Sequence, residues 1–285
     1  MSTTVAVGTL AVPGATLHHE RTGSGPLLLL IPGGAADAGL YAGMTDILAA
    51  HFTVLSYDPR GLSRSTLHEP LTDQRVEVWS DDAHRLIEAL SPHRDAYVFG
   101  SSSGAVVALD LLARYPERLR RVIAHEPPLV ELLADPAPHR ALFAEVREVF
   151  RAEGAGAAMA RFGEGLGGRP AEREPTALPP ALHEMAPRMH ANIPVFLEHL
   201  LCPFTAGLPD VDGLRRAGRR LIPAAGRDSR GLLPLYGPAA QLAELLDLEV
   251  AEFPGGHLGA VEHPAEFAAR LLELYRSPGE TSPDS

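Results

Sequence analysis

Tyr97-Val98-Phe99-Gly100-Ser101-Ser102-Ser103-Gly104-Ala105-Val106-Val107-Ala108 is the stretch on which the reading of this chain turns. It opens as an apolar strand, closes as an apolar helix, and between them sets two glycines around three serines. A strand that turns this abruptly into a helix strains its central residue and brings backbone segments close together. Flanking glycines give room where side chains would clash. The central residue is Ser102. The turn also aims backbone N–H groups and the start of a helix at that serine, which favours developing negative charge. Ser102 is therefore the expected nucleophile, and the Ser103 N–H is one expected oxyanion donor.

Around this turn, short apolar runs alternate with stretches of helical spacing. Residues 5–12 and 15–21 read as a hairpin about Val12-Pro13-Gly14, and residues 27–31 as a continuous apolar strand closed by Pro32-Gly33-Gly34. Helix 45–51 leads to strand 52–57, and helix 76–90 to strand 96–99. Helix 103–115 then leads to strand 121–125. Continuous apolar strands separated by helices mean a parallel sheet covered on both faces. From 129 to about 204 there is no strand signal, only helical stretches at 140–153, 157–162 and 191–201. A Gly/Arg/Pro/Glu-rich linker at 163–180 interrupts them. Alternation resumes with strand 219–225, helix 239–246, strand 248–253 and helix 265–275. A helical insertion of that size predicts a cap over one end of the strands. The expected division is a core of 1–128 and 206–276, a helical cap of 129–205 and a disordered polar tail of 277–285.

Two further segments end a strand in glycines. Pro32-Gly33-Gly34 places the Gly34 N–H as the second expected oxyanion donor. Phe253-Pro254-Gly255-Gly256-His257 puts an imidazole on a loop after the serine in chain order, where it can take the hydroxyl proton. A carboxylate must hold that imidazole. Asp228 follows strand and glycine in Leu221-Ile222-Pro223-Ala224-Ala225-Gly226-Arg227-Asp228 and completes the order Ser, Asp, His. Glu126, at the equivalent edge one strand earlier, is the alternative acid.

Composition narrows the classes. The 25 basic residues are all arginine and face 36 acidic ones, a formal charge of −11. So acidic a surface repels phosphate backbones and anionic lipid, so neither nucleic acid nor membrane is an expected partner. Without lysine, Walker-type phosphate loops, Schiff-base aldolases and pyridoxal enzymes are excluded. One cysteine, Cys202, forms no internal disulfide, and no Cys/His spacing resembles a metal site. With no signal-like start and no apolar run of membrane length, the expectation is a cytoplasmic protein.

These motifs resemble the α/β-hydrolase superfamily, and in particular its capped bacterial serine hydrolases and esterases. The resemblance spans nearly the whole chain: the Pro32-Gly33-Gly34 loop, the serine turn, Asp228, His257, and Tyr57-Asp58-Pro59-Arg60-Gly61-Leu62-Ser63-Arg64-Ser65. It implies a mostly parallel twisted sheet of about eight strands flanked by helices, with a helical cap. In the family the Asp-x-Arg-Gly-x-Ser-x-Ser stretch is mostly structural, which implies scaffolding roles for Asp58, Arg60 and Ser63. Two departures stand out. Pro32-Gly33 replaces the frequent His-Gly, and Asp228 lies two residues after its glycine where the family's acid often lies three.

The expected chemistry is hydrolysis of a small, moderately apolar ester, lactone or thioester through an acyl-enzyme, needing no metal or organic cofactor. A serine at the turn argues against the dehalogenases and epoxide hydrolases of the superfamily, which use aspartate there. Substrate choice belongs to the cap, where Met185, Met189, Phe196 and Leu200 are the expected lining residues. Alternatives are cofactor-free perhydrolase or haloperoxidase-like activity, and a non-hydrolytic binding or cyclising protein on the same fold. The sequence does not set the oligomeric state.

Overall fold

The computed structural model describes residues 4–91, 93–167 and 180–276. Its strands are β1 (Ala6–Val12), β2 (Ala15–Gly23), β3 (Leu27–Ile31), β4 (Thr53–Tyr57), β5 (Thr66–Leu67), β6 (Ala96–Ser101), β7 (Leu119–His125), β8 (Leu221–Gly226) and β9 (Ala251–Phe253). The helices are α1 (Ala42–Ala49), α2 (Val76–Leu90), α3 (Ser103–Arg114), α4 (Ala137–Glu153), α5 (Ala155–Gly165) and α6 (Pro180–Val195). After them come α7 (Leu201–Thr205), α8 (Val211–Ala217), α9 (Leu233–Leu246), α10 (Gly259–Glu262) and α11 (Pro264–Arg276).

The strands form one sheet in the order β1-β2-β4-β3-β6-β7-β8-β9, with the short β5 paired to β2. From β4 to β9 every pairing is parallel, while β1, β2 and β5 join antiparallel. This is the α/β-hydrolase architecture, with eight strands on the main path and β5 as a ninth.

The five residues of β3 are all buried, and alternation divides them between two cores. Leu27, Leu29 and Ile31 join a cluster with Trp79, Ala83 and Leu86 of α2 and Val107 and Leu111 of α3. Leu28 and Leu30 join Met44 and Leu48 of α1 and Phe267 and Leu271 of α11 on the opposite face. Each fully buried leucine contributes about 1.5–3 kcal/mol, so this one strand anchors both layers.

The chain winds from β3 out to β4, then returns across β3 to β6. Reversal of this kind leaves a crevice at the carboxyl ends of the two strands. Gly34 follows β3 and Ser102 follows β6, so both lie at that crevice.

Between β7 and β8 the described residues form helices joined by short turns, with no strand among them. Leu142, Phe143 and Val146 of α4, Ala158 of α5 and Phe204 of α7 share one apolar cluster with α3 and the sheet. Two prolines, Pro187 and Pro194, lie inside α6, and after Val195 the helix widens into a π-helical turn, Phe196–Leu200. Such turns accommodate disturbed helical hydrogen bonding.

Several element limits differ from expectation. α9 begins at Leu233, because Pro234 sits in its first turn where no N–H is required and Pro238 is carried inside. α5 runs on to Gly165, into the expected linker. Residues 168–179 of that linker, and the tail 277–285, lie outside the described residues. Among the described residues no helix is long and apolar enough to cross a membrane.

Candidate active site

Ser102 has φ 56° and ψ −128°, a strained conformation for a residue with a side chain. Close backbone packing holds it there. A Cβ on Gly104 would stand 2.3 Å from the Ile31 carbonyl oxygen, and one on Gly33 would stand 2.4 Å from that of Ser101. The Ser102 N–H donates to the His125 carbonyl at 2.9 Å, tying the turn to β7. Ser103 begins α3, so its N–H has no acceptor inside the helix and points outward from the N-terminus.

His257 follows β9 on the glycine loop. Its Nδ1 lies 2.6 Å from Oε2 of Glu126. A carboxylate only accepts, so Nδ1 carries the proton and Nε2 is left as the basic nitrogen. Glu126 is 1% exposed and itself adopts φ 48°. Its Oε1 accepts the Gly226 N–H at 2.8 Å, and its own N–H donates to the Ala224 carbonyl at 2.9 Å. Burial pushes this carboxyl up. The hydrogen bond from His257 and the fields of His125 and His257 outweigh burial and hold it at about 2.

The structure thus sets Glu126, and not Asp228, against the imidazole. After β8 the backbone curls into a short 3-10 turn, Arg227–Ser229, which turns the Asp228 side chain to solvent. What Asp228 contributes is its N–H, which donates to the Gly255 carbonyl at 3.0 Å and steadies the histidine loop. Pro127 disfavours right-handed helix at Glu126 but favours extended backbone there, so the φ of 48° is set by the folded turn and is not announced by the sequence.

Gly34 lies beside this turn with φ 61°, and its N–H donates to Ser103 Oγ at 2.9 Å. That bond occupies the Gly34 N–H in this conformation, and only a turn of the Ser103 side chain about its Cα–Cβ bond would free it for another acceptor.

Ser102 and His257 open on one narrow cavity. Phe143, Phe162, Phe196 and Phe204 wall it, and Thr205 adds a polar edge. The aromatic and leucine side chains crowd it into a slot. Of the expected lining residues, Phe196 and Leu200 face this slot. Met185 instead packs with Leu182 against Ala36, and Met189 is 37% exposed. Both lie on α6, ahead of the π turn that redirects the chain toward the cavity.

The Asp58 segment is built as scaffolding. Asp58 is fully buried and accepts from the Ala38 N–H at 3.0 Å and from Arg64 Nε at 2.8 Å. Arg60 forms a buried fork to Asp82 at 2.7 and 2.6 Å. Two residues of α6 that the sequence did not single out also reach the loop after β3. Arg188 Nε lies 2.5 Å from Asp37 Oδ2, and the Asn192 amide donates to the Ala35 carbonyl at 2.9 Å.

The family model of the alpha/beta hydrolase fold matches residues 26–165. The chain is 36% identical over 277 residues to an uncharacterized hydrolase, YraK, of Bacillus subtilis, covering 95% of this chain and 96% of that protein. The chain belongs to the α/β-hydrolase superfamily. It is also 27% identical to a zearalenone hydrolase of Bionectria ochroleuca, covering 93% of this chain and 96% of that one. Among solved structures, a thermophilic esterase from Thermogutta terrifontis superposes with a TM-score of 0.69. That match has 21% identity and covers 97% of this chain and 98% of that one. This α/β hydrolase therefore shares its architecture with enzymes named for hydrolysis, and its serine turn lies within the matched family segment.

Proposed function

We propose that this α/β hydrolase is a serine hydrolase of carboxylic esters, lactones or thioesters, with Ser102, His257 and Glu126 as its triad. The observation that carries the reading is the 2.6 Å contact of Glu126 with His257 Nδ1, in a cavity that also exposes the strained Ser102. A buried carboxylate fixing one tautomer leaves Nε2 as the base that a serine nucleophile needs.

In the first half-reaction His257 Nε2 takes the Ser102 proton as Oγ bonds to the substrate carbonyl carbon. The Ser103 and Gly34 N–H groups receive the oxyanion. The carbon–leaving-group bond breaks as His257 returns the proton to the departing alcohol or thiol. In the second, His257 takes a proton from water, hydroxide adds to the acyl carbon, and Ser102 departs with that proton. For a lactone, leaving group and acid stay joined and the product is a hydroxy acid. Beyond Ser102 and His257 the phenylalanine-walled slot offers only the Ser103 and Thr205 hydroxyls as polar side chains, which suits an uncharged apolar acyl chain.

Labelling with a fluorophosphonate, read by peptide mass spectrometry, tests this directly. The expected adduct is on Ser102, absent in Ser102→Ala and strongly slowed in His257→Ala. Folded wild-type protein that takes no label on Ser102 and turns over no p-nitrophenyl ester would overturn the reading. In that event weight would pass to a binding or cyclising role.

A further inference from the structure

Three residues on one face of α6 grip the loop that follows β3. Met185, Arg188 and Asn192 are spaced by three and then four residues, so they line one side of the helix. Met185 packs on Ala36. Arg188 forks onto Asp37, which is fully buried and also accepts the Gly39 N–H at 2.9 Å. Asn192 is 4% exposed and makes three hydrogen bonds. Its Nδ2 donates to the Ala35 carbonyl at 2.9 Å and to Ser63 Oγ at 2.8 Å, and its Oδ1 accepts the Ser63 N–H at 2.9 Å.

Gly34, the residue just before Ala35, needs this support. It is in the left-handed region, and no atom lies within 4 Å of where its Cβ would be. Nothing packs against it from that side, so the direction of its N–H rests on the bonds of the loop: the N–H itself meets Ser103 Oγ at 2.9 Å, the Gly33 carbonyl of the same peptide accepts the Ala36 N–H at 3.2 Å, and the residues that follow are held from α6. Gly33 is wedged against Ser101 and Ser102 on one side. On the other side the Ala35 carbonyl is held by Asn192. The same helix then passes through Pro194 into the π turn, whose Phe196 and Leu200 wall the cavity.

We propose that Asn192 is a positioning residue for the oxyanion hole. By fixing the Ala35 carbonyl from the cap, it sets the direction in which the Gly34 N–H meets the oxyanion, so seating the cap completes the hole. Pocket wall and oxyanion donor are thereby parts of one rigid unit, and a cap displaced from the core lacks both. This rests on the serine-hydrolase reading above. Asn192 acts through the loop and touches no reacting atom.

Asn192→Asp isolates the effect. Aspartate keeps the size and the acceptor for the Ser63 N–H, but sets an oxygen where an N–H met the Ala35 carbonyl. In the full-length chain the expected result is a kcat on p-nitrophenyl butyrate lowered about 10- to 100-fold, with KM within about twofold, since misplacement of this kind costs up to about 100-fold. Inhibition by phenylboronic acid, whose tetrahedral adduct uses the same donors, should weaken by a similar factor. Amide exchange across residues 33–37, read by mass spectrometry, should quicken. Arg161→Gln, which breaks only the exposed pair with Glu145 between α5 and α4, should leave all three readouts as in wild type.

Wild-type kcat and boronate affinity in Asn192→Asp would overturn the proposal. So would an equal change in kcat and KM without quickened exchange, the mark of a purely structural anchor. A wild-type enzyme that neither labels at Ser102 nor hydrolyses the ester would instead defeat the serine-hydrolase reading, and the proposal with it.

Discussion

Glu126 leaves the end of β7 yet is clamped by the end of β8, its Oε1 taking the Gly226 N–H while its Oε2 holds His257. The two strands are parallel neighbours, so their carboxyl ends form adjacent shelves facing one histidine loop. An acid on either shelf is within range of the imidazole, and local backbone conformation decides between them. Left-handed φ at Glu126 swings its carboxylate across to β8, whereas the 3-10 turn at Arg227–Ser229 turns Asp228 outward.

The two acids therefore separate by mutation. Glu126→Gln puts an amide beside Nδ1, and its N–H favours the imidazole tautomer with the wrong basic nitrogen. Loss of about 10⁴-fold in kcat is expected, the cost of the comparable change in a serine triad. Asp228→Asn keeps the backbone N–H that steadies the loop and should stay within about threefold of wild type, surface changes of this kind being nearly neutral. Steady-state kinetics on one activated ester measure both. The reverse ranking would return the role to Asp228.

Acid sensitivity follows from two buried neighbours. His125 is completely buried among Phe99, Phe253 and Phe267, its Nδ1 paired with Ser101 Oγ at 3.1 Å. Burial lowers its pKa from 6.5 to about 4. Between those values the unfolded chain binds a proton that the folded chain refuses. Stability from this group is thus complete above 6.5 and lost as pH falls toward 4, at about 1.4 kcal/mol per pH unit. Glu126 extends the loss. Its folded pKa is about 2 against an ordinary 4.5, so its contribution is complete above 4.5 and disappears as pH falls through about 2. Urea unfolding at a series of pH values should show stability falling from pH 6.5 downward. His125→Phe, whose ring fits the same aromatic box, should flatten the upper part of that slope by about one proton. An unchanged slope in the variant would mean that His125 does not carry it.

How much of this was legible in advance depended on the range of the forces involved. β3 and α2 were read to the residue, because a continuous run of leucines and a clean helical spacing are local signals. Gly100 and Gly104 announced the serine turn because close backbone approach admits no other residue type. The helices α6 and α9 were under-read, since prolines at 187, 194, 234 and 238 imitate breaks that packing in the folded chain absorbs. The choice between Asp228 and Glu126 as the partner of His257 stays open in the sequence for a different reason: φ at Glu126 is a property of the finished turn and leaves no local trace. Asn192 was out of reach altogether. Its partners, Ser63 and Ala35, lie 129 and 157 residues away, and a lone asparagine in a helical stretch carries no sign of them.

The slot makes the last prediction, about acyl length. Phe162 stands between Phe143 and Phe196, with ring centroids 6.3 and 5.6 Å away, and the three form a continuous aromatic wall. Removing the middle ring opens the wall without touching Ser102, His257 or the oxyanion loop. Phe162→Ala should therefore raise kcat/KM for p-nitrophenyl octanoate relative to the butyrate by about tenfold, as added methylenes find space at about 0.8 kcal/mol each, less what the loosened wall gives back. The p-nitrophenol leaving group is constant across the series, so the ratio reports the acyl side alone. Acetate turnover should change little, because two carbons do not reach the wall. If the octanoate-to-butyrate ratio stays at its wild-type value while the protein remains folded, the acyl chain does not run along Phe162. The slot would then hold the leaving group, and the same variant assayed on butyrate esters of increasing alcohol length would show the shift there.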